Sequence, residues 1–493
     1  MAQEQEYVEE NKAIHITLDD LEAGTDDVSS GSIRYSGKLP QGVTERMVYS
    51  DVLRIGWPAF MEYMLVQLTG MFDQIQVGSI GPHAIAAIGM SMQPIFLLCT
   101  AFMSMNTGTM TMIARAKGRG DRAHACLMLR QGLLITLIAS AVMTVAGYFL
   151  ALPLIKLIGS DDPETIGLAL IYVRIRVLNL IPFAITSTIT SGLRGIGNSR
   201  ISLVYNTTSN LVNILFNWIL INGKLGFPAL GVRGAAIATV IGEWCALIIA
   251  FCAILNKKHY VYLSFGKGAF KPDSAAISDI VHIGVPAAVE HLVTRAGIIL
   301  YTRVVTSLGT NAYATHTICM NIQSLTFMNG QAFAVSSTSL VGQSLGKKRP
   351  DMAEAYSKRS QVVGFIISAI FGLIFAFFGK NIVSLYTDVQ EIIDAGSRIL
   401  LMIAILQPFQ SSQFILSGSM RGAGDTKAVA YITGFTMLVL RPILAYVLVN
   451  YCNMGLTGAW IALMADQGTR TLLVFIRYRS GKWKTTFHPV SET

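Results

Sequence analysis

The sequence has few charged residues, which make up only 14% of its 493 positions. Soluble globular domains carry about 25%, whereas hydrophobic residues here reach 52% and the mean hydropathy is +0.51. A chain of this length has room for two or three soluble domains. The scarcity of charge excludes that arrangement and predicts an all-α polytopic membrane protein.

Several motifs of chemistry are also missing. None of the six cysteines forms a CxxC pair and most lie in apolar runs, so we expect reduced thiols and no metal site. The chain contains no HExxH motif, no Asp-rich diphosphate motif and no Ser/His/Asp set. We therefore expect neither an enzyme nor a resident cofactor.

Acidic residues are concentrated in the first 44 positions, which hold nine acids and three bases. Because this segment is polar, we expect no cleavable signal peptide. Its composition predicts a disordered cytosolic tail over residues 1–46.

The remainder contains twelve apolar runs of about 20 residues, the length of a transmembrane helix. Basic residues follow the even-numbered runs, while the intervening loops are poor in bases. This pattern predicts a plasma-membrane protein with both termini in the cytoplasm. The predicted spans are residues 50–74, 84–110, 128–150, 165–190, 201–221, 233–255, 278–303, 311–338, 360–380, 390–417, 429–450 and 456–476.

The first span recurs 228 residues later. The stretch from Ile55 to Gly81 matches that from Ile283 to Gly309 without a gap, and Glu62 pairs with Glu290. An Arg-Gly-x-Gly turn also occurs twice, at Arg194 and Arg421. The chain is therefore a duplication.

Both copies begin on the cytoplasmic side, so the sequence predicts a parallel repeat of two six-helix lobes. The predicted lobes are residues 47–255 and 280–477. A polar cytosolic linker, 256–279, joins them, and residues 478–493 form a second cytosolic tail.

The stretch from Ile55 to Gly81 carries two carboxylates, Glu62 and Asp73. A charge at bilayer depth costs at least about 2.5 kcal/mol, so an acid there indicates function. A gap of eleven residues, at about 100° per residue, returns to the same face of a helix. Glu62 and Asp73 therefore share one face, about 16 Å apart along the axis. Asp73 has no acidic counterpart in the second copy, where Tyr301 stands. For Asp73, the competing interpretation is a structural acid paired to an arginine. Glu62 and Glu290 could equally cap backbone groups that the preceding proline leaves without a hydrogen bond.

These motifs together resemble the multidrug and toxic compound extrusion (MATE) family of secondary transporters. The resemblance covers about residues 47–477. It is carried by the Pro-x-x-x-Glu openings at Pro58 and Pro286, Phe72-Asp73-Gln74, both Arg-Gly-x-Gly turns, Asn213-Ile-Leu-Phe-Asn217, Gly231-x-x-Gly234 and Val341-Gly342-Gln343-Ser344-Leu345-Gly346.

The resemblance implies alternating access driven by entry of H⁺ or Na⁺, with export of amphipathic, often cationic compounds. Asp73 stands at the family's coupling position, where a transient Na⁺ is expected, and Asn213 and Asn217 match its polar pair. We assign ion coupling to Asp73, Glu62 and Glu290. The predicted cavity residues are Asn213, Asn217, Gln410, Asn321, Tyr301 and Thr294.

The chain departs from some family members in the second copy. Thr294 and Gln410 stand where those members carry acids. The expected partners are a small-molecule substrate, a coupling cation and the lipid bilayer, with no nucleic acid, and the chain is expected to be a monomer.

Four arginines in apolar surroundings, Arg174, Arg176, Arg295 and Arg441, keep an alternative open. If several line the cavity, a flippase or exporter of lipid-linked or anionic substrates on the same fold becomes the better hypothesis. If they extend to the membrane surface, they carry no such meaning.

Overall fold

The computed structural model describes residues 39–40, 42–78, 80–158, 162–264, 270–487 and 490. Within these ranges the chain is almost entirely helical and contains no strand. The predicted acidic tail lies outside the described residues up to position 38, and its last two residues, Glu45 and Arg46, open the first helix.

In the described residues, twelve long helical segments follow one another in the order of the twelve predicted spans. The fourth is bent and the eleventh contains a π-helical turn at Phe435–Leu440. They are α1 Glu45–Gly78, α2 Pro82–Gly118, α3 Arg122–Ile158, α4 Pro163–Leu178 with Leu180–Gly195, α5 Ser199–Asn222, α6 Val232–Leu255, α7 Ser274–Thr306, α8 Thr310–Gly346, α9 Pro350–Ser384, α10 Gln390–Gly422, α11 Thr426–Asn450 and α12 Gly455–Arg479.

Seven of these helices are each long and apolar enough to cross a membrane, and the bent α4 makes an eighth. The other four are α1, α5, α8 and α12. They carry buried amides and carboxylates, among them Asp51, Asn217, Gln343 and Asp466, and these polar groups lower their hydropathy. The all-α polytopic membrane fold predicted from composition is therefore confirmed.

The bent helix α4 begins at a strong N-cap. The Asp162 carboxylate accepts hydrogen bonds from the backbone N–H groups of Glu164 and Thr165, at 3.4 and 3.0 Å, and from the Thr165 hydroxyl. These bonds, those from Thr165 first, lower the pKa of Asp162 to about 2. The two halves of α4 meet at Asn179 with a bend of 49°.

The described chain divides into two compact units. The N unit contains residues 61–288 with Val490, and its core includes Phe102, Tyr172 and Ala236. The C unit contains residues 39–60 and 289–487, and its core includes Trp460 and Leu400. The predicted lobes have their boundary at the linker, whereas the two units divide inside α1 and α7.

The first half of α1 packs within the C unit. Asp51 accepts a hydrogen bond from the Tyr356 hydroxyl at 2.7 Å, and the Val52 carbonyl accepts one from Ser336 at 3.0 Å. The first half of α7 packs within the N unit in the equivalent way, and its Asp279 accepts from the backbone of Val490 at 2.8 Å. In each repeat, the first half of the first helix thus belongs to the unit that contains most of the other repeat.

Both Arg-Gly-x-Gly turns close a helix against α2 or α8. A Cβ on Gly195 would lie 2.8 Å from the Met110 carbonyl oxygen, and one on Gly422 would collide with the equivalent carbonyl of Thr338. The second glycine of each turn has a positive φ, 81° at Gly197 and 85° at Gly424. In both copies the first glycine is therefore needed for close packing, and the second for its positive φ.

Candidate functional site

Asp73 lies on α1 facing two amides of α5. Its Oδ1 accepts a hydrogen bond from Asn217 Nδ2 at 2.6 Å. With the Asn213 amide oriented to satisfy both of its polar atoms, Asn213 Nδ2 donates to the same oxygen at 2.9 Å. The two amides are four residues apart, so they share one face of α5. The structure thus brings together three of the predicted site residues.

One amide oxygen at this site lacks a donor. Asn217 is only 1% exposed, and its Oδ1 has no hydrogen-bond partner among the described residues. An unpaired buried carbonyl oxygen is costly unless a donor or a cation meets it. The Asn213 oxygen, by contrast, accepts from the Thr239 backbone N–H and hydroxyl at 3.2 and 3.3 Å.

Two further helices complete the surroundings of Asp73. From α4, Arg176 and Tyr172 each interact electrostatically with the Asp73 carboxylate. From α6, Thr239 lies beside Tyr172, and Glu243 interacts with Arg176. Each pair is four residues apart and so shares a helix face.

The sequence prediction did not single out Glu243 or Asp466. Both are acids inside predicted spans, at 233–255 and 456–476. The rule that drew attention to Asp73 applies equally to them. The signal was present, and the absence of a recognisable motif around these two residues explains why it was missed.

Glu62 is 5% exposed and binds three side chains of the N unit. It accepts from Arg194 at 2.9 Å, Ser202 at 3.0 Å and Asn206 at 2.6 Å. Glu62 and Asn206 are 144 residues apart, as are Asp73 and Asn217. Glu62 and Asp73 on α1 therefore contact two amides of α5 with the same eleven-residue spacing.

Glu290 makes the equivalent ion pair in the C unit. Its Oε1 accepts from Arg421 at 2.6 Å. Both duplicated motifs are thus joined in each repeat, since the glutamate of the Pro-x-x-x-Glu opening binds the arginine of the Arg-Gly-x-Gly turn. The copies differ in one respect, because Glu290 Oε2 is buried and has no hydrogen-bond partner in the described chain.

The C unit has a different arrangement where the N unit has Asp73 and Asn213. Residues 228 positions later are Tyr301 and Arg441, and the guanidinium lies 5.5 Å from the Tyr301 ring centroid. The π turn in α11 inserts one residue, which accounts for the change from the 227-residue spacing of Arg194 and Arg421.

Arg441 belongs to a buried ion cluster. Asp466 is fully buried and accepts from Arg441 Nε at 2.8 Å and from Arg470 at 2.6 and 2.8 Å. Arg470 Nε also donates to the Thr436 hydroxyl at 3.0 Å. Both guanidiniums are therefore tied to one carboxylate.

The remaining predicted cavity residues do not gather at one place. Gln410 is 3% exposed and accepts from Gln323 at 3.2 Å. Tyr301 is buried, and its hydroxyl donates to the Ala459 carbonyl at 3.1 Å. The Thr294 hydroxyl donates to the Glu290 carbonyl at 2.7 Å, while Asn321 is exposed.

A family model for MatE matches residues 58–219 and again residues 286–447, one match in each repeat. Among curated proteins, the chain is 26% identical to the "Probable multidrug resistance protein NorM" of Thermotoga maritima, over 89% of this chain and 93% of that one. It is 28% identical to the "Uncharacterized transporter YisQ" of Bacillus subtilis, over 88% and 94%.

Solved structures share the fold. One is described as the outward-facing conformation of a multidrug resistance MATE family transporter of the MOP superfamily. It superposes with a TM-score of 0.82 at 23% identity, over 89% of this chain and 97% of that one. Another, a MOP superfamily transporter from Pyrococcus furiosus, has a TM-score of 0.82 at 22% identity, over the same 89% and 97%. At this identity the likeness extends to the fold alone.

Proposed function

Because the chain belongs to the MatE family of membrane transporters, we propose that it exports small amphipathic, often cationic compounds in exchange for an entering H⁺ or Na⁺. The multidrug-resistance names of its relatives support the class of substrate. The two matches of the family model, one per repeat, support a two-lobed transporter that alternates between two states.

The observation that carries the coupling proposal is the arrangement of Asp73 and Asn217. Asn217 Nδ2 donates a 2.6 Å hydrogen bond to the Asp73 carboxylate, and Oδ1 of the same amide has no partner among the described residues. We propose that the carboxylate and this amide oxygen are the ligands of the cation. Secondary transporters bind Na⁺ through carbonyl oxygens inside the membrane, and a carboxylate can bind either Na⁺ or H⁺. A cation bound here would satisfy the unpaired amide oxygen and neutralise the acid.

Such a site drives transport through its different affinity for the cation in the two states. A ligand shifts a conformational equilibrium only by its differential affinity. Asp73 is bound by the Asn217 amide, so movement of α5 relative to α1 would change the ligand set that the cation meets. In our proposal this change releases the cation in one state and captures it in the other.

Two of the four arginines that suggested lipid-linked or anionic substrates have acidic neighbours. Arg441 is bound to Asp466, and Arg176 interacts with Asp73 and Glu243. Arg174 lies 5.3 Å from the Tyr148 ring centroid. A guanidinium that interacts with an acid of the protein is less available to an anionic substrate, so these contacts favour export of cationic compounds over export of anions.

We place the protein in the plasma membrane with both termini in the cytoplasm, on the charge of its loops. In this topology Asp73, near the end of α1, lies towards the outer side and Glu62 towards the cytoplasm. We propose that it acts as a monomer.

The test is efflux of a cationic dye from proteoliposomes, with Na⁺ and pH gradients imposed separately. Asp73→Asn keeps the shape and hydrogen bonding of the side chain but removes its charge. We expect dye binding to persist and gradient-driven efflux to fall to the rate without a gradient. Asn213→Ala and Asn217→Ala should reduce efflux less, because they remove neutral ligands only.

The control is Asp388→Asn, which removes an exposed acid outside the site, and it should export at the wild-type rate. If Asp73→Asn exports at the wild-type rate while folded Glu290→Gln does not export, the coupling site lies in the C unit and the proposal is wrong.

A further inference from the structure

Three helices of the N unit each present a pair of polar residues, four positions apart, around Asp73. The pairs are Tyr172 and Arg176 on α4, Asn213 and Asn217 on α5, and Thr239 and Glu243 on α6. Residues four apart on a helix share one face. Arg176 and Glu243 therefore lie one helical turn from Tyr172 and Thr239, which interact with Asp73 and with its neighbour Asn213.

Charge is unevenly divided in this group. It contains two carboxylates, Asp73 and Glu243, and one guanidinium, Arg176, which interacts electrostatically with both. The other titratable groups that face them are the thiol of Cys99 and the phenols of Tyr172 and Tyr205. The α5 side chains Asn213 and Asn217 are uncharged. With both acids ionised, the group has a net charge of one negative unit.

Among the described residues, Arg176 interacts with both acids electrostatically and is hydrogen-bonded to neither. Its Nε is buried and has no hydrogen-bond partner among the described residues. Arg176 is partly buried, so its guanidinium is stabilised by a nearby ionised carboxylate. It can therefore interact with whichever carboxylate is ionised and unoccupied.

We propose that Arg176 is the tethered counter-cation of the coupling site and that Glu243 sets its net charge, so that the site binds one monovalent cation. This inference rests on the proposed function. When the cation occupies Asp73, the guanidinium pairs with Glu243. When the cation leaves, the guanidinium pairs with Asp73. Neither Arg176 nor Glu243 is a ligand of the cation; both are positioning residues that act through charge.

The C unit provides a comparison for this assignment. Its buried cluster has two guanidiniums, Arg441 and Arg470, on the single carboxylate Asp466. No negative charge remains there for a mobile cation. Of these two groups, the one around Asp73 carries an excess negative charge and the one around Asp466 does not.

The experiment changes the net charge of the group in three ways. Glu243→Gln removes the excess negative charge, Arg176→Gln adds one negative unit, and the double variant restores the wild-type balance. The readout is the Na⁺ concentration at fixed pH, and the H⁺ concentration at fixed Na⁺, that give half-maximal dye efflux from proteoliposomes. Glu164→Gln, an exposed change at the start of α4, is the matched control.

For the coupling cation, we expect Glu243→Gln to raise the half-maximal concentration by about tenfold, and Arg176→Gln to lower it by about tenfold. The double variant should return to within about threefold of wild type. Rescue of one substitution by the other is not expected of residues that only fill space.

The possible results separate this inference from the proposed function. If Asp73→Asn loses coupling while Glu243→Gln keeps the wild-type half-maximal concentration, the inference is overturned and the function stands. If Asp73→Asn is fully coupled, both fail. Should Glu243→Gln not fold, Arg176→Gln decides alone, because a tighter cation requirement supports the inference and a weaker one overturns it.

Discussion

At the scale of single residues, the intramembrane acids differ in how completely they are neutralised. Asp73 accepts hydrogen bonds from neutral amides, whereas Asp466 is bound by two guanidiniums. Breaking a buried ion pair by removing one partner costs about 3–5 kcal/mol, because the other charge is left uncompensated. Asp466 is therefore predicted to support the fold, and Asp73 to be available for exchange.

We predict that Asp466→Asn lowers the free energy of unfolding by about 3–5 kcal/mol. The melting temperature of the detergent-purified protein should therefore fall strongly. Asp73→Asn should have a smaller effect, since its amide neighbours remain hydrogen-bonded. Thermal unfolding of both variants measures the difference. An equal or reversed order would contradict the division between a structural acid and an exchangeable one.

At the scale of helices, close approach depends on glycine at Gly108 of α2. A Cβ at this position would collide with the Ile280 carbonyl of α7, within the N unit. The residue 228 positions later is Ser336, and it uses its hydroxyl to donate to the Val52 carbonyl at 3.0 Å. The two repeats thus join the same helices by different means, one by steric contact and the other by a hydrogen bond.

We predict that Gly108→Ala destabilises the protein by about 1–3 kcal/mol, because the added methyl group overpacks this contact. Gly89→Ala on the same helix is the control, since nothing lies within 4 Å of its added Cβ. It should be neutral or stabilising by about 0.5–1 kcal/mol. Melting temperatures of the two variants check the prediction, and a neutral Gly108→Ala would refute it.

At the scale of the whole molecule, the duplication has kept its framework and changed its chemistry. Glu62 and Glu290 keep their arginine partners, yet Glu62 accepts from Ser202 and Asn206 as well. The positions equivalent to Asp73 and Asn213 have become an aromatic residue and an arginine. We therefore propose that one unit carries out coupling, while both units retain the motifs that close their helices.

We predict that Glu62→Gln lowers the melting temperature more than Glu290→Gln does. A hydrogen bond to a charged group contributes about 1.5–3 kcal/mol, and Glu62 makes such bonds with three side chains where Glu290 makes one among the described residues. The comparison is made on detergent-purified protein. A larger loss at Glu290 would mean that the N-unit bonds contribute little to stability.

Much of the architecture was determined by the sequence alone. Twelve apolar runs of spanning length, in a chain with few charges, predicted the twelve helices, because the bilayer leaves hardly any alternative to helices. The match between Glu62 and Glu290, and between the two Arg-Gly-x-Gly turns, predicted the two repeated lobes. Asp73 was identified because a charge in a span is rare.

Only the tertiary structure decided which side chains meet. The sequence did not indicate that Glu62 binds Arg194, that Arg441 and Arg470 share Asp466, or that Glu243 lies beside Arg176. It also did not indicate that α1 and α7 each begin in the opposite unit. Hydropathy and helical spacing report which face a residue occupies on its own helix. Contacts between residues 131 to 144 positions apart depend on how those helices pack, and no pattern along a single helix records that.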